Sequence, residues 1–296
     1  MVFKRNIFRR LFPLFILGLY FTVLFYKVIV NGLWPIPADS LVSYFFPWNT
    51  GGWGGWYEGI THKGLIGFDV FRHYIPWKSL GAELIKSGQL PLWNPYNFSG
   101  NPLMANFQSS FFYPFSVIFY FLPIFPSWII FIFLQPVLGF FGFYLYLKLI
   151  VKNRISALFG SLAFISSGFF LAWFTWGIVG HSYIWAGWLL WVCHKYFIDR
   201  SYKHLLITPL LIFISIISPY PQVAILVLIL VFSYSIFCFV SSSGGIARYL
   251  KWIIASVVGI LIAMIQIIPT IELWSFSPRD YGVPDVFELF ALKKRL

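Results

Sequence analysis

Apolar residues in this chain come in long runs, not in the spacing of three and four that marks a surface helix, and short segments rich in Lys, Arg, Pro and Gly separate the runs. Reading runs and breaks predicts helices over about 11–30, 126–147, 156–175, 182–197, 205–219, 221–240 and 252–270. Most approach the roughly 20 residues that a helix needs to cross a bilayer. The break at Ser218-Pro219-Tyr220-Pro221 is one that no continuous helix would carry, so 205–240 reads as a hairpin of two spans. Residues 111–124 are apolar too, but Pro114 and Pro123 cut them into a piece too short to cross, which fits a re-entrant or interfacial helix. The expected fold is an all-α polytopic membrane protein with about seven transmembrane helices. It forms a single membrane domain: a first span over 1–30, an outer loop over 31–125, six further spans over 126–270 and an outer tail over 271–296.

Composition agrees with lipid as the solvent. Hydrophobic residues make up 59% of the 296 and charged ones 10%, far from the usual soluble balance. The net charge of +12 sits in clusters between apolar runs and forms no continuous basic face, which excludes nucleic acid as the partner. The basic start, Lys4, Arg5, Arg9 and Arg10, resembles a signal peptide, but the apolar stretch after it is too long and lacks a small-residue cleavage site, so it reads as a retained span.

Charge also orients the spans, because cytoplasmic loops are enriched in Lys and Arg. With a cytoplasmic N-terminus, the inner segments hold Lys148, Lys152, Arg154, Lys195, Arg200, Lys203, Arg248 and Lys251 besides the N-terminal cluster, and only Asp199 opposes them. The other acids, Asp39, Glu58, Asp69, Glu83, Glu272, Asp280, Asp285 and Glu288, fall in the outer loop and tail. Localisation in a cell membrane, multi-pass, with the long first loop and the tail outside, follows.

The loop from 31 to 110 is far longer than ordinary connections, and loops of that length are functional or disordered. Trp34, Trp48, Trp53, Trp56, Trp77 and Trp93 argue against disorder and for a surface that folds over an interface, with an aromatic belt at headgroup level as the blander account. Asp39 and Asp69 lie in this loop near the outer surface, where a partly desolvated carboxylate is a better general base toward a hydroxyl. Either could instead cap a helix. Asn94, Asn97, Asn101, Asn106 and Gln108, set among Trp93, Tyr96 and several prolines, offer amides and ring faces suited to sugar hydroxyls. The five histidines never recur at metal-ligand spacing, and Cys193 and Cys238 sit in apolar runs as small buried side chains.

The residues from Asp69 through HYIPW (His73 to Trp77), GQLPLWNPY (Gly88 to Tyr96), SGNPL (Ser99 to Leu103), ANFQS (Ala105 to Ser109) and FYP (Phe112 to Pro114) resemble the YfhO-like family of bacterial membrane proteins, within the GT-C superfamily of polytopic glycosyltransferases. QIIPTIEL (Gln266 to Leu273) with Ser277 to Arg279 extends the likeness. The resemblance implies inverting transfer of a sugar from a polyprenyl-phosphate donor to an envelope glycan or glycopolymer on the outer face. It implies an acid of the first outer loop as base, Asp69 slightly ahead of Asp39. Arg72, Lys78 and Arg279 become candidates to neutralise the departing phosphate, and a divalent metal, Mg or Mn, is left open. Such proteins are commonly longer, so the resemblance also implies a truncated chain that carries the helical module. A transporter or lipid flippase is the competing class, although coupled transport usually needs ionisable residues at mid-depth and the span interiors offer little beyond the neutral amides of Gln135 and Gln266, with charges confined to the span ends. A non-catalytic glycan-binding membrane protein is a third reading.

Overall fold

The computed structural model describes residues 2–32, 34–36, 46, 69–97, 99–242 and 245–276, with side chains from residue 12 onward. Helix α1 (Val2–Leu24) and the short α2 (Tyr26–Asn31) lead to the loop. After a π-helical turn, Val70–Tyr74, come α3 (Ile75–Lys86) and two short antiparallel strands, β1 (Trp93–Asn94) and β2 (Asn101–Pro102). A single turn, α4 (Ile118–Phe121), precedes the helical body: α5 (Ile124–Ile150), α6 (Arg154–Ile165), α7 (Gly168–Trp173), α8 (Val179–Tyr183), α9 (Trp185–Phe197), α10 (Tyr202–Ile216), α11 (Pro221–Ser241) and α12 (Gly245–Ser275).

Among the described residues three helices, α5, α11 and α12, are long and apolar enough to cross a membrane, and a fourth span is added if Arg154–Ile165 and Gly168–Trp176, bent by 44°, count as one. The chain is thus an all-α membrane protein. The run expected as one span over 156–175 is broken because Ser167 turns into an N-cap, its hydroxyl accepting the Phe170 N–H at 3.3 Å. The break expected at Ser218 to Pro221 is present, with α10 ending at Ile216 and Pro221 opening α11, but α10, at 15 residues, is shorter than the helices that could cross a membrane. The apolar stretch over 111–124 forms only a 3-10 turn, Pro114–Val117, and α4, both too short to cross.

Pro136 interrupts α5 and removes the N–H that would bond the Ile132 carbonyl. The neighbouring Gln135 amide donates to that carbonyl at 3.3 Å and to the Phe174 carbonyl at 3.2 Å, so a polar group in the core mends the ladder and ties α5 to the bend after α7. Helices α5 and α9 meet at Gly187, where a Cβ would lie 2.4 Å from the Phe143 backbone nitrogen; only a missing side chain permits that approach. Outward faces of α11 and α12 stay apolar and exposed, as at Leu226, Ile229, Ile254 and Ile265, the surface that lipid covers.

The two ends of the bundle differ. At one end the finish of α5 and α9 and the start of α10 and α12 converge, with Tyr146, His194 and Tyr234 in ring contact and the Tyr196 hydroxyl donating to the Arg248 carbonyl at 2.9 Å. The basic residues of residues 148–154, 195–203 and 248–251 therefore gather there. At the other end lies the loop: Trp34 packs edge-on against Phe125, and the Tyr113 hydroxyl meets His181 Nδ1 at 3.0 Å while His181 Nε2 meets the Phe131 carbonyl at 2.8 Å.

Candidate functional site

The loop is built on local chemistry. Pro76 carries no N–H, so the helix widens ahead of it and Ile75 N–H bonds the Val70 carbonyl, one residue further back than in an α-helix. Asp69 sits at the head of this π turn with backbone already helical (φ −59°, ψ −26°), and its carboxylate makes no cap bond. Helix capping therefore does not account for it among the described residues. Its carboxylate is 41% exposed and lies 4.0 Å from His73 Nε2. Burial draws the His73 imidazole below its ordinary value and Arg72 adds to this, against the pull of Asp69, so the ring is neutral at neutral pH. His73 stacks on Trp77, with ring centroids 5.1 Å apart. Burial raises the Tyr74 phenol, and Asp69 and Tyr220 push it the same way, which puts both within electrostatic reach of that ring.

Beyond α3, the pair β1 and β2 sets Trp93 opposite Pro102 and Asn94 opposite Asn101. Gly100 takes φ +110° beneath the Trp93 ring, where a Cβ would fall 2.6 Å from the indole. Asn94 is buried, and its side-chain oxygen accepts the Tyr96 N–H at 3.0 Å. Trp93 and Tyr96 face outward, at 52% and 80% exposure. Asn106 caps the next turn by accepting the Gln108 N–H at 3.1 Å.

A distant helix fastens this loop. The Gln266 amide donates to the carbonyls of Met104 and Ala105 at 3.2 and 3.3 Å, and the Thr270 hydroxyl to the Ala105 carbonyl at 2.7 Å. A cavity of about 670 Å³ opens where they meet, its walls including Asn101, Asn106 and Gln108 from the loop, Gln222 from α11, and Thr270 and Trp274 from α12. Its size is that of a small-molecule pocket. Amides and a hydroxyl share the wall with Phe107, Trp274 and Phe276.

Of the residues expected from sequence, Asn101, Asn106 and Gln108 line this cavity. Asp69 and Arg72 lie at the π turn, with Arg72 exposed, and neither is among the residues that line the cavity. Lys78 is turned inward: its Nζ is hydrogen-bonded with the Ser109 carbonyl at 2.7 Å and the Ser110 and Ser116 hydroxyls at 2.5 and 2.7 Å, and the residue is 2% exposed. Its nitrogen is enclosed by these three oxygens, so Lys78 holds the loop together and does not face an outside phosphate. Asp39 and Arg279 lie outside the described residues. Gln222 and Trp274 were not singled out from sequence, since nothing local marks them.

No family model, no curated protein and no solved structure matches the chain. Among the described residues no three His, Cys, Asp or Glu side chains converge on one point, so the donor set for a Mg or Mn ion is not met there.

Proposed function

We propose that the protein is a membrane glycosyltransferase that moves a sugar from a polyprenyl-phosphate donor to an envelope glycan or glycopolymer acceptor. The observation that carries the reading is the cavity between the loop and α12, where amides and aromatic rings from segments 160 residues apart converge at one end of a lipid-facing bundle. That lining matches a sugar: amides for its hydroxyls, rings for its apolar face. The two stretches that resemble the YfhO-like family, Ala105 to Ser109 and Gln266 to Leu273, are the ones that touch. In this reading Asp69 is the base toward the acceptor hydroxyl, with Arg72 and Arg279 on the phosphate side.

The same proposal has seven spans, with the basic end in the cytoplasm and the cavity outside. In intact cells, Ser87→Cys at the end of α3 is expected to react with an impermeant maleimide and Ser241→Cys at the end of α11 to stay protected, both positions being exposed. Native Cys193 and Cys238 are buried and contribute no background. Equal labelling of the two positions refutes the orientation.

Binding tests the cavity. With the full chain in nanodiscs and a polyprenyl-phosphate monosaccharide as probe, Trp274→Ala is expected to weaken binding by about two- to tenfold, the worth of one lost ring contact. Trp274→Phe is expected to restore most of it. Unchanged binding in Trp274→Ala and Gln108→Ala together places the sugar elsewhere.

A further inference from the structure

We infer that the basic end of the bundle carries a second site, a cleft between α1 and the α5–α6 corner that holds one anionic phospholipid by its phosphate. The cleft measures about 390 Å³ and is walled by Phe12 and Pro13 of α1, Tyr144 of α5 and Leu158 of α6, with Asn153 and Arg154 at the corner. Its two kinds of lining are separated along the bundle. Tyr144 lies six residues before the end of α5, about 9 Å into the apolar zone, whereas Arg154 is the first residue of α6.

Arg154 is exposed, and among the described residues the ion pairs are His73 with Asp69 and Lys195 with Asp199, so its guanidinium has no carboxylate partner there. Lys148 and Lys152 flank it, both exposed. The start of α6 is already occupied: Asn153 Oδ1 accepts the Ile155 and Ser156 N–H groups at 2.9 and 3.3 Å. An anion in the cleft would therefore be held by the guanidinium, a planar donor that fits phosphate in bidentate fashion.

The apolar side says which anion. The wall runs on into Leu14 and Phe15 of α1 and Ile155 and Phe159 of α6, all exposed and apolar, a track along which acyl chains can lie. A soluble phosphate gains nothing from that track, and a phospholipid is matched at both ends. Basic pockets between membrane helices are recognised sites for anionic headgroups.

Native mass spectrometry of the full chain, taken from nanodiscs of equal phosphatidylglycerol and phosphatidylcholine, tests this. The protein is expected to retain phosphatidylglycerol preferentially. Arg154→Gln is expected to lower that retention about fivefold, the worth of one cation beside an anionic lipid. Ile155→Trp, which keeps the charge and fills the track, is expected to lower it as well. Lys203→Gln, at the same end but outside the cleft, should leave it unchanged. Equal losses in Arg154→Gln and Lys203→Gln would mean a diffuse basic surface and overturn the site. Full retention in Ile155→Trp, or displacement of the lipid by millimolar inorganic phosphate, would overturn it too.

Discussion

Asp69→Asn is expected to lower sugar transfer by about 10²- to 10⁴-fold, the usual cost of a missing general base, while expression and membrane insertion stay unchanged. The substitution conserves shape, and Asp69 makes no cap bond whose loss would loosen the π turn. Among the described residues its ion-pair partner is His73, 4.0 Å away, whose ring is neutral at neutral pH, so no ion pair is lost there either. What changes is the ability to take a proton at the head of the π turn. The measurement is initial rate with a polyprenyl-phosphate sugar in proteoliposomes. If Asp39→Asn removes the rate and Asp69→Asn does not, the base is Asp39. Full rates in both variants end the general-base reading.

The largest effect on stability is expected at Lys78. Lys78→Ala empties a fully enclosed site and leaves the Ser109 carbonyl and the Ser110 and Ser116 hydroxyls without their donor, between the rings of Phe119 and Phe131. A loss of about 3–5 kcal/mol is expected, as for other broken buried polar sites. Lys78→Met fills the volume and lets Ser110 and Ser116, 3.3 Å apart, bond each other, so it should cost distinctly less.

The pH dependence follows from the same burial, which pushes the Lys78 ammonium well below its ordinary 10.5. Between the folded and unfolded values the unfolded chain binds the extra proton, so stability rises with pH toward 10.5 and falls as pH drops through that window. Thermal unfolding in detergent at pH 7 to 10 should climb in the wild type and climb less in Lys78→Met. Parallel curves would show that Lys78 keeps its proton in the folded protein.

Much of the helical body was legible because a continuous apolar run has few alternatives: 126–147 appears as Ile124–Ile150, and 221–240 as Pro221–Ser241. Helix α12 starts at Gly245 where hydropathy places the start near 252, since Arg248 and Lys251 interrupt the apolar run without interrupting the helix; the Lys251 head rests over the Tyr202 ring, 5.7 Å from its centroid. The bend after Ile165 escaped because two serines hardly change a hydropathy average, although Ser167 before Gly168 is a cap signal. In the site, Asn106 and Gln108 stood out by composition. Trp274 and Gln222 did not, because they reach the loop only through tertiary packing across more than 100 residues. The inward turn of Lys78 is not legible for a related reason: its three oxygen partners lie 31 to 38 residues away, and no local pattern announces an inward lysine.

The tie between Gln266, Thr270 and the loop carbonyls bears on biogenesis. The loop leaves the ribosome long before α12, so for most of synthesis the Met104 and Ala105 carbonyls lack these donors and the cavity lacks the wall made by Thr270 and Trp274. The cavity closes only when α12 docks against the loop. A nascent chain stalled before residue 266 lacks that wall however well its earlier helices have inserted, so whatever the cavity holds can be held only after α12 has docked.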